Sequence, residues 1–338
     1  MIRARYYEKR GTEIRCHLCP HQCLLLPDQN GFCGVRKNQN SEMVLPFAGI
    51  LSAVAIDPIE KKPLYHFYPG KTIYSIGFFG CNFRCPFCQN YSISQFFPET
   101  TKNRTLPEKV VQDARGVSSF GIAYTYSEPL VHYEFVLETS ILSHTAGLKN
   151  VLITNGYLNE DPLTELLPYL DAVNIDLKSY SENFYTKEIC GDRNHVLDFI
   201  KRAAETIHVE VTTLIIPGKN DSPDEIREIS LFLSKIDPKI PLHLSCYYPR
   251  YKYSVRETSE NDLRPLLKTA REHLEYVYAG NVREETNTIC PQCGNITIRR
   301  SGYEVSVTGL ISDRCSRCGF RLPIINHDTD TGKKGKTP

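Results

Sequence analysis

The middle of the chain, residues 73–278, alternates short segments rich in β-branched residues with segments that have a helical pattern. The predicted strands are TIYSIGFF, GIAYTY, NVLIT, AVNIDL, HVEVTTLII and PLHLSC. The predicted helices are PEKVVQDARGVSSF, PLVHYEFVLETSILSHTAG, DPLTELLPYL, VLDFIKRAAETI and SPDEIREISLFLSKI. Strands that alternate with helices form parallel sheets, so the pattern predicts an α/β fold, an open, partial (β/α)6 barrel.

Polar residues follow every predicted strand. In chain order they are GCNFRCPFCQNYS, SEP, TNG, DLK, PGKND and CYYP. Loops at the carboxyl ends of barrel strands converge on one mouth, where such barrels carry their functional sites. The sequence therefore predicts a functional site at this mouth.

Eleven of the 13 cysteines fall into three tight groups with the spacing of metal ligands. The groups are Cys16, Cys19, Cys23 and Cys33; Cys81, Cys85 and Cys88; and Cys290, Cys293, Cys315 and Cys318. Metal-binding thiols favour a reducing, cytoplasmic location over a secreted one. The predicted parts are an N-terminal Cys-rich module with its lead-in (1–70), the barrel (71–285), a zinc-ribbon-like module (286–326) and a disordered tail (327–338).

The group at the mouth has three cysteines, whereas an iron–sulfur cube usually has four thiolate ligands, one for each iron. With three ligands, one iron keeps an open coordination position. An open position distinguishes a reactive metal site from a structural one. The alternatives are a zinc knuckle and an electron-transfer cluster whose fourth cysteine is distant in sequence.

The spacing Cys-x3-Cys-x2-Cys, with Phe87 before the third cysteine, resembles the radical S-adenosylmethionine (SAM) superfamily. The resemblance implies a TIM-like radical SAM barrel with a [4Fe–4S] cluster on Cys81, Cys85 and Cys88 and with SAM at the open iron. It implies reductive cleavage of SAM to a 5′-deoxyadenosyl radical that abstracts hydrogen from a substrate. It also implies an electron donor of the flavodoxin or ferredoxin type.

Glu128 and Pro129 resemble a motif of this superfamily whose acidic residue receives the ammonium group of SAM. Tyr126 and Ser127 replace the glycines of that motif. The alternative is that Glu128 only begins a helix, where a carboxylate is favourable in any case.

The segments TNG, DLK and PGKND resemble the activating enzymes of glycyl-radical proteins. That likeness implies a cofactor pocket lined by Asn155, Asp176, Lys178 and His243, in which Lys178 pairs with the carboxylate of SAM. The chain departs from the activators at Ile153, where they carry an acid, and at Gln89, where they carry histidine. No further catalytic residue is identified.

Over nearly its whole length the chain resembles the radical enzyme of the AmmeMemoRadiSam system. The segments that carry this likeness include CHLCPHQC, DPIEKKPLYHFYPG, AYTYSEP and the terminal CPQCG and CSRCG. The family specifies no reaction, so the substrate is left open. We expect a small molecule, because the two added metal modules should crowd the open side of the barrel. The alternatives are a glycyl-radical-enzyme activase and a non-catalytic iron–sulfur or zinc protein.

The last cysteine group consists of two Cys-x2-Cys-Gly segments around a stretch that alternates like a hairpin, which is typical of a zinc ribbon. Four thiolates close such a site, so a structural zinc ion is predicted. The basic residues of this segment are expected to form a solvated face: Arg299, Arg300, Arg314 and Arg317.

The first group has the less typical spacing Cys-x2-Cys-x3-Cys-x9-Cys. Zinc and an auxiliary iron–sulfur cluster are both compatible with it, and zinc is the preferred interpretation. His17 and His21 are substitute ligands if one cysteine does not bind.

The charge pattern indicates no polyanionic partner. Forty basic and 39 acidic residues give a formal charge of +1, so neither a nucleic acid nor a membrane surface is expected as a partner. No apolar run reaches the ~18 residues of a membrane span. Cys190 and Cys246 are expected to be buried thiols, with Cys246 as an alternative hydrogen donor, and His66 is expected to pack.

Overall fold

The computed structural model describes residues 3–98 and 103–326, so the predicted tail at 327–338 lies outside the described residues. The strands are β1 (Tyr7–Arg10), β2 (Glu13–Cys16), β3 (Leu24–Leu25), β4 (Lys37–Gln39), β5 (Glu42–Val44), β6 (Ala53–Pro58), β7 (Thr72–Gly77), β8 (Gly121–Thr125), β9 (Lys149–Thr154), β10 (Ala172–Asp176), β11 (His208–Ile215), β12 (Leu242–Cys246), β13 (Val277–Gly280), β14 (Thr288–Ile289), β15 (Ile296–Ser301), β16 (Glu304–Ser306), β17 (Leu310–Ile311) and β18 (Arg314–Cys315). The helices are α1 (Tyr91–Ser94), α2 (Pro107–Gly116), α3 (Tyr133–Thr145), α4 (Glu160–Leu166), α5 (Glu182–Glu188), α6 (Arg193–Ala204), α7 (Pro223–Ile236) and α8 (Glu260–Arg271). Short 3₁₀ turns cover Ile59–Lys61, Pro129–His132 and Leu167–Tyr169.

The central sheet has the strand order β6-β7-β8-β9-β10-β11-β12-β13. Strands β7 to β13 are parallel, and β6 pairs antiparallel with β7 at one edge. Spatial order follows chain order, and at least one helix lies between each pair of successive parallel strands, as in a barrel that has not closed. The predicted α/β fold is confirmed.

All six predicted strands are present, and two strands of the sheet, β6 and β13, were not predicted. Strand β6 lies within the segment that the sequence assigned to the N-terminal module. Val54 and Ile56, which alternate along β6, are both 53% exposed, so the face of β6 that carries them is not buried in the core. Ser222 caps α7, because its Oγ accepts a hydrogen bond from Glu225 N at 3.1 Å.

The N-terminal module is fixed to α3 by a buried ion pair. Arg36 Nη1 donates to both carboxylate oxygens of Glu134, at 2.9 and 3.0 Å, and both side chains are almost fully buried. The same carboxylate accepts from the backbone N–H of Arg5 at 2.7 Å. Loss of one partner would leave an unpaired buried charge, so this contact ties the module to the barrel.

The C-terminal module docks at the amino ends of the barrel strands. Ile325 exchanges backbone hydrogen bonds with the segment before β7, donating to His66 O at 2.8 Å and accepting from Tyr68 N at 2.6 Å. The neighbouring residues Tyr65 and His66 donate their backbone N–H groups to Glu210, near the start of β11, at 3.0 and 2.7 Å. The expectation that this module crowds the mouth is therefore wrong, because it covers the opposite end of the barrel.

Arg300 is part of this docking surface and does not lie on a solvated face as expected. Its side chain is fully buried and donates to Tyr65 O at 2.6 Å and to Thr288 Oγ1 at 2.8 Å. Its guanidinium lies 4.3 Å from the centre of the Tyr65 ring. No helix within residues 3–98 or 103–326 has the length and apolar character needed to cross a membrane.

Candidate active site

The loop after β7 carries Cys81, Cys85 and Cys88 at the carboxyl end of the sheet. Gly80 begins the loop with φ of +81°, and a Cβ atom there would lie 2.6 Å from the carbonyl oxygen of Cys33. Only glycine combines that backbone conformation with so close an approach. The three thiols line a cavity of about 260 Å³.

Several of the sequence-predicted residues meet in this cavity. They are Cys81, Cys85, Phe87, Cys88, Glu128, Asn155, Asp176 and Lys178. They come from the ends of four successive strands, β7 to β10. The structure therefore brings together the residues that the strand-end argument placed at one mouth.

The thiol groups have hydrogen-bond donors beside them. Cys81 Sγ accepts from Phe83 N at 3.3 Å and from Asn155 Nδ2 at 3.7 Å. Cys88 Sγ lies 3.3 Å from Ser94 Oγ. Donors of this kind stabilise thiolates and tune bound iron–sulfur clusters.

Burial raises the pKa of both Cys81 and Cys85, in the case of Cys85 to about 12. A buried thiol of this kind stays protonated unless a metal ion binds it, because metal binding displaces the proton. The set of three thiols, with N–H donors beside Cys81, has the chemistry of iron–sulfur ligands.

Glu128 is 2% exposed and lies where β8 ends. Its carboxylate accepts from Thr154 Oγ1 at 2.7 Å, from Asn155 N at 2.8 Å and from Leu130 N at 3.1 Å. Burial raises the pKa of Glu128 to about 7, and the hydrogen bonds from Asn155, Thr154 and Leu130 oppose that shift. Glu128 therefore caps the 3₁₀ turn at Pro129–His132, as its alternative interpretation expected, and also borders the cavity.

Asp176 and Lys178 form an ion pair after β10, with Lys178 Nζ 2.7 Å from Asp176 Oδ2. Burial lowers the pKa of Lys178, but the negative charge of Asp176, which accepts a hydrogen bond from Lys178 Nζ, outweighs burial and holds that pKa above its usual value. The cavity thus has one buried carboxyl group and one ammonium group on its wall.

Phe87 and His243 have different surroundings. Phe87 is 3% exposed, and its ring centre lies 6.0 Å from that of Phe184 and 5.6 Å from that of Tyr253. The structure does not bring His243 to the cavity. Its Nε2 lies 2.6 Å from Glu210 Oε2, in the buried network at the amino end of the barrel.

Other cavity residues were not identified from the sequence. They include Tyr126, Thr212, Leu214, Ser245 and Asn281. Thr212 and Leu214 are two residues apart on β11, so the period of two along a strand could have found them. Tyr126 was seen only as a replacement for glycine. It has φ of +71° and donates its hydroxyl to Asp57 Oδ2.

The C-terminal cysteines form a compact group. All four sulfur atoms lie within 4.8 Å of one another, and the pairs Cys290–Cys318 and Cys293–Cys315 are 3.7 Å apart. Gly294 and Gly319 turn the chain with φ of +70° and +74°, and their N–H groups donate to Cys290 O and Cys315 O. The predicted four-cysteine metal site is confirmed, while zinc itself stays a prediction.

Comparisons with known proteins agree with this geometry. Residues 75–233 match the model of the Radical SAM superfamily. An uncharacterized protein of Methanocaldococcus jannaschii is 41% identical over 335 residues, which cover 96% of this chain and 100% of that protein.

A second protein of the same archaeon, named as a candidate glycyl-radical enzyme activating enzyme, is 30% identical over 208 residues. The match covers 59% of this chain and 76% of that protein. The crystal structure of Streptococcus suis SuiB bound to S-adenosylmethionine aligns with a TM-score of 0.49 at 15% identity, over 60% of this chain and 48% of that one.

Proposed function

We propose that this chain, which belongs to the radical SAM superfamily, cleaves SAM reductively and abstracts hydrogen from a small-molecule substrate. When bound, a [4Fe–4S] cluster and SAM would supply the one-electron cleavage that generates a 5′-deoxyadenosyl radical. A low-potential flavodoxin or ferredoxin would supply the electron. The protein's part is to bind, orient and shield these groups.

The observation that carries the proposal is the combination of three thiols with a charged cavity wall. Among the described residues, Cys81, Cys85 and Cys88 are the cysteines that line the cavity. Three thiolates would hold a [4Fe–4S] cluster with one iron lacking a protein ligand. SAM would present an ammonium and a carboxylate at that position.

Glu128 and Lys178 offer complementary charges for those two groups. An ionised Glu128 would accept a charge-assisted hydrogen bond from the ammonium, and Lys178 would pair with the carboxylate. Asp176, 2.7 Å from Lys178, keeps the Lys178 ammonium charged and fixes its position. Phe87, packed near Phe184 and Tyr253, would exclude water beside the cluster.

A second candidate is activation of a glycyl-radical enzyme, because a relative that is 30% identical carries that name. An activase must admit a glycine loop of its partner. The N-terminal module flanks the cysteine loop, since His21 Nε2 donates to Asn82 O at 2.7 Å and the Arg84 guanidinium lies 4.1 Å from the Phe32 ring centre. With this module packed beside the loop and charged groups already on the cavity wall, we favour a small molecule held in a pocket.

Anaerobic reconstitution with ferrous iron and sulfide, followed by strong reductant and SAM, tests the proposal. We expect 5′-deoxyadenosine from the wild type and none from Cys85→Ala. A wild-type protein that holds its cluster and forms no 5′-deoxyadenosine would instead be a non-catalytic iron–sulfur or zinc protein.

The same reduced mixture, incubated with candidate glycyl-radical enzymes, separates the two enzyme functions. We expect no stoichiometric protein-radical doublet in the electron paramagnetic resonance (EPR) spectrum. A doublet would make the chain an activase and overturn the small-molecule proposal.

A further inference from the structure

The N-terminal cysteines Cys16, Cys19, Cys23 and Cys33 gather in one small region. Cys16 N donates to Cys23 O at 2.9 Å, and Cys23 Sγ accepts from Phe32 N at 3.4 Å. The thiol of Cys19 lies near enough to the other three to interact electrostatically with each of them. The four thiols therefore share one site.

The spacing of these four thiols differs from that of a single-ion site. With zinc–sulfur bonds of ~2.3 Å in a tetrahedron, the sulfur atoms lie ~3.8 Å apart. The C-terminal cysteines match this value at 3.7 Å. Within the described parts of the chain, theirs is the group in which three or more candidate ligand atoms lie within 4.8 Å of one another.

The N-terminal group therefore spreads its sulfur atoms more widely than one zinc ion requires. The barrel group, Cys81, Cys85 and Cys88, shows the same wider spacing. In a [4Fe–4S] cluster each of four thiolates binds a different iron atom, and in a [2Fe–2S] cluster two thiolates bind each iron, so in neither case do three thiolates surround one ion.

We propose that Cys16, Cys19, Cys23 and Cys33 bind an auxiliary iron–sulfur cluster. This reverses the preference for zinc that the sequence alone suggested. Neither substitute histidine is needed or free, because His17 Nε2 lies 3.7 Å from Glu8 and His21 Nε2 donates to Asn82 O. Cys16 and Cys33 are 6% and 8% exposed, which shields such a cluster from solvent.

The site lies next to the barrel cysteines. The Cys33 carbonyl is in contact range of Gly80, which precedes Cys81, and the His21 ring bonds to the carbonyl of Asn82, which follows it. The auxiliary cluster would take one electron from a flavodoxin- or ferredoxin-type donor and pass it to the barrel cluster. This route rests on the proposed function, whereas the presence of the auxiliary cluster does not.

The test uses the full chain with Cys81, Cys85 and Cys88 all changed to Ala, reconstituted anaerobically with ferrous iron and sulfide. We expect about four iron and four sulfide ions per chain. We expect about one zinc ion as well, held by the C-terminal cysteines. Reduction should give an EPR signal that SAM does not change.

A second variant adds Cys16→Ser and Cys33→Ser to the first. It should lose the iron and sulfide while keeping the zinc. A lower count with both iron and sulfide, such as a two-iron cluster, also supports the proposal. About two zinc ions without iron, or no metal at the N-terminal site, would overturn it.

The wild-type protein tests whether the auxiliary cluster lies next to the barrel cluster. With both sites loaded and reduced, we expect spin coupling that broadens the EPR signal beyond the sum of the two single-site spectra. A spectrum equal to that sum would overturn the adjacency but leave the cluster assignment in place. Neither the metal and sulfide counts nor the EPR spectra need cleavage of SAM. A failure of the proposed function can therefore be told apart from a failure of the auxiliary-cluster proposal.

Discussion

The cysteines of the C-terminal module and those of the barrel mouth differ in number, in spacing and in what lies beside them, although both groups offer thiol sulfur atoms as ligands. The C-terminal sulfur atoms lie within 4.8 Å of one another on two matching glycine turns, so four ligands can surround one ion. At the mouth, three thiols lie more widely spaced beside a cavity that also holds Glu128 and Lys178. A closed set of four thiols suits a structural metal site, whereas three thiols beside charged groups leave a coordination position where a ligand could bind.

The largest expected effect is at the mouth. Changing Cys85 to Ala should abolish formation of 5′-deoxyadenosine, because the proposed barrel cluster would lose one of its three ligands. Zinc content and the thermal unfolding midpoint should change little. The measurements are chromatography of the reaction products and metal analysis, with Cys190→Ser as the control. Cys190 lies outside the three groups and is exposed, so the expectation that it is a buried thiol is wrong, whereas Cys246 is buried as expected. Retained cleavage in Cys85→Ala would show that the three thiols at the mouth are not the ligands of the reactive cluster.

The next effect belongs to the C-terminal module. Changing Cys293 to Ala should release the zinc and loosen this module, since short metal-bound segments depend on the metal for folding. The barrel should keep its iron and its SAM cleavage. Limited proteolysis and metal analysis check this, with Ser316→Ala as an exposed control in the same module. Loss of both metals would show that the two regions are not independent.

A smaller effect is expected at the cavity wall. Changing Glu128 to Gln removes a charge but keeps the shape, and should weaken SAM binding about 10- to 100-fold, the value of a charge-assisted hydrogen bond. Iron content should stay the same. Equilibrium dialysis with SAM measures the affinity, and Glu272→Gln, an exposed change at the end of α8, is the matched control. Unchanged affinity would mean that Glu128 serves only as a cap.

The smallest effect is a pH dependence. Burial raises the pKa of Glu128 to about 7, so below that pH the carboxyl group is protonated and loses its attraction for an ammonium. SAM affinity should therefore rise from pH 5.5 to 7, by at most about tenfold per pH unit. Above about pH 7.7 the α-amino group of SAM itself loses its proton. Binding by Glu128→Gln should not follow this slope; an identical slope in the variant would assign it to another group.

Much of the fold was predictable because β-branched runs and capped helices alternate clearly. The cysteine loop, Glu128 and Lys178 were predictable because polar residues at the carboxyl ends of parallel strands must meet at one mouth. These are consequences of local sequence and of one geometric rule.

The position of His243 was not predictable in this way. His243 and Ser245 lie two residues apart on β12, so they share a face, yet Ser245 borders the cavity and His243 pairs with Glu210. The sequence predicts the strand, but it does not predict which residue of the strand is the first to border the cavity. Arg300 shows the same limit, because its burial depends on where the C-terminal module docks.

The hydrogen-bonded network around Glu210 affects how ligands can reach and leave the cavity. His208 and His243 both bond to Glu210, and their contacts hold its pKa well below the usual range in spite of burial. In the part of the chain that the structure describes, this network and the C-terminal module occupy the amino end of the barrel, so a ligand of the cavity would enter and leave at the carboxyl end. SAM and a substrate would then enter from the same end, so whichever of the two binds deeper in the cavity would have to bind first and leave last.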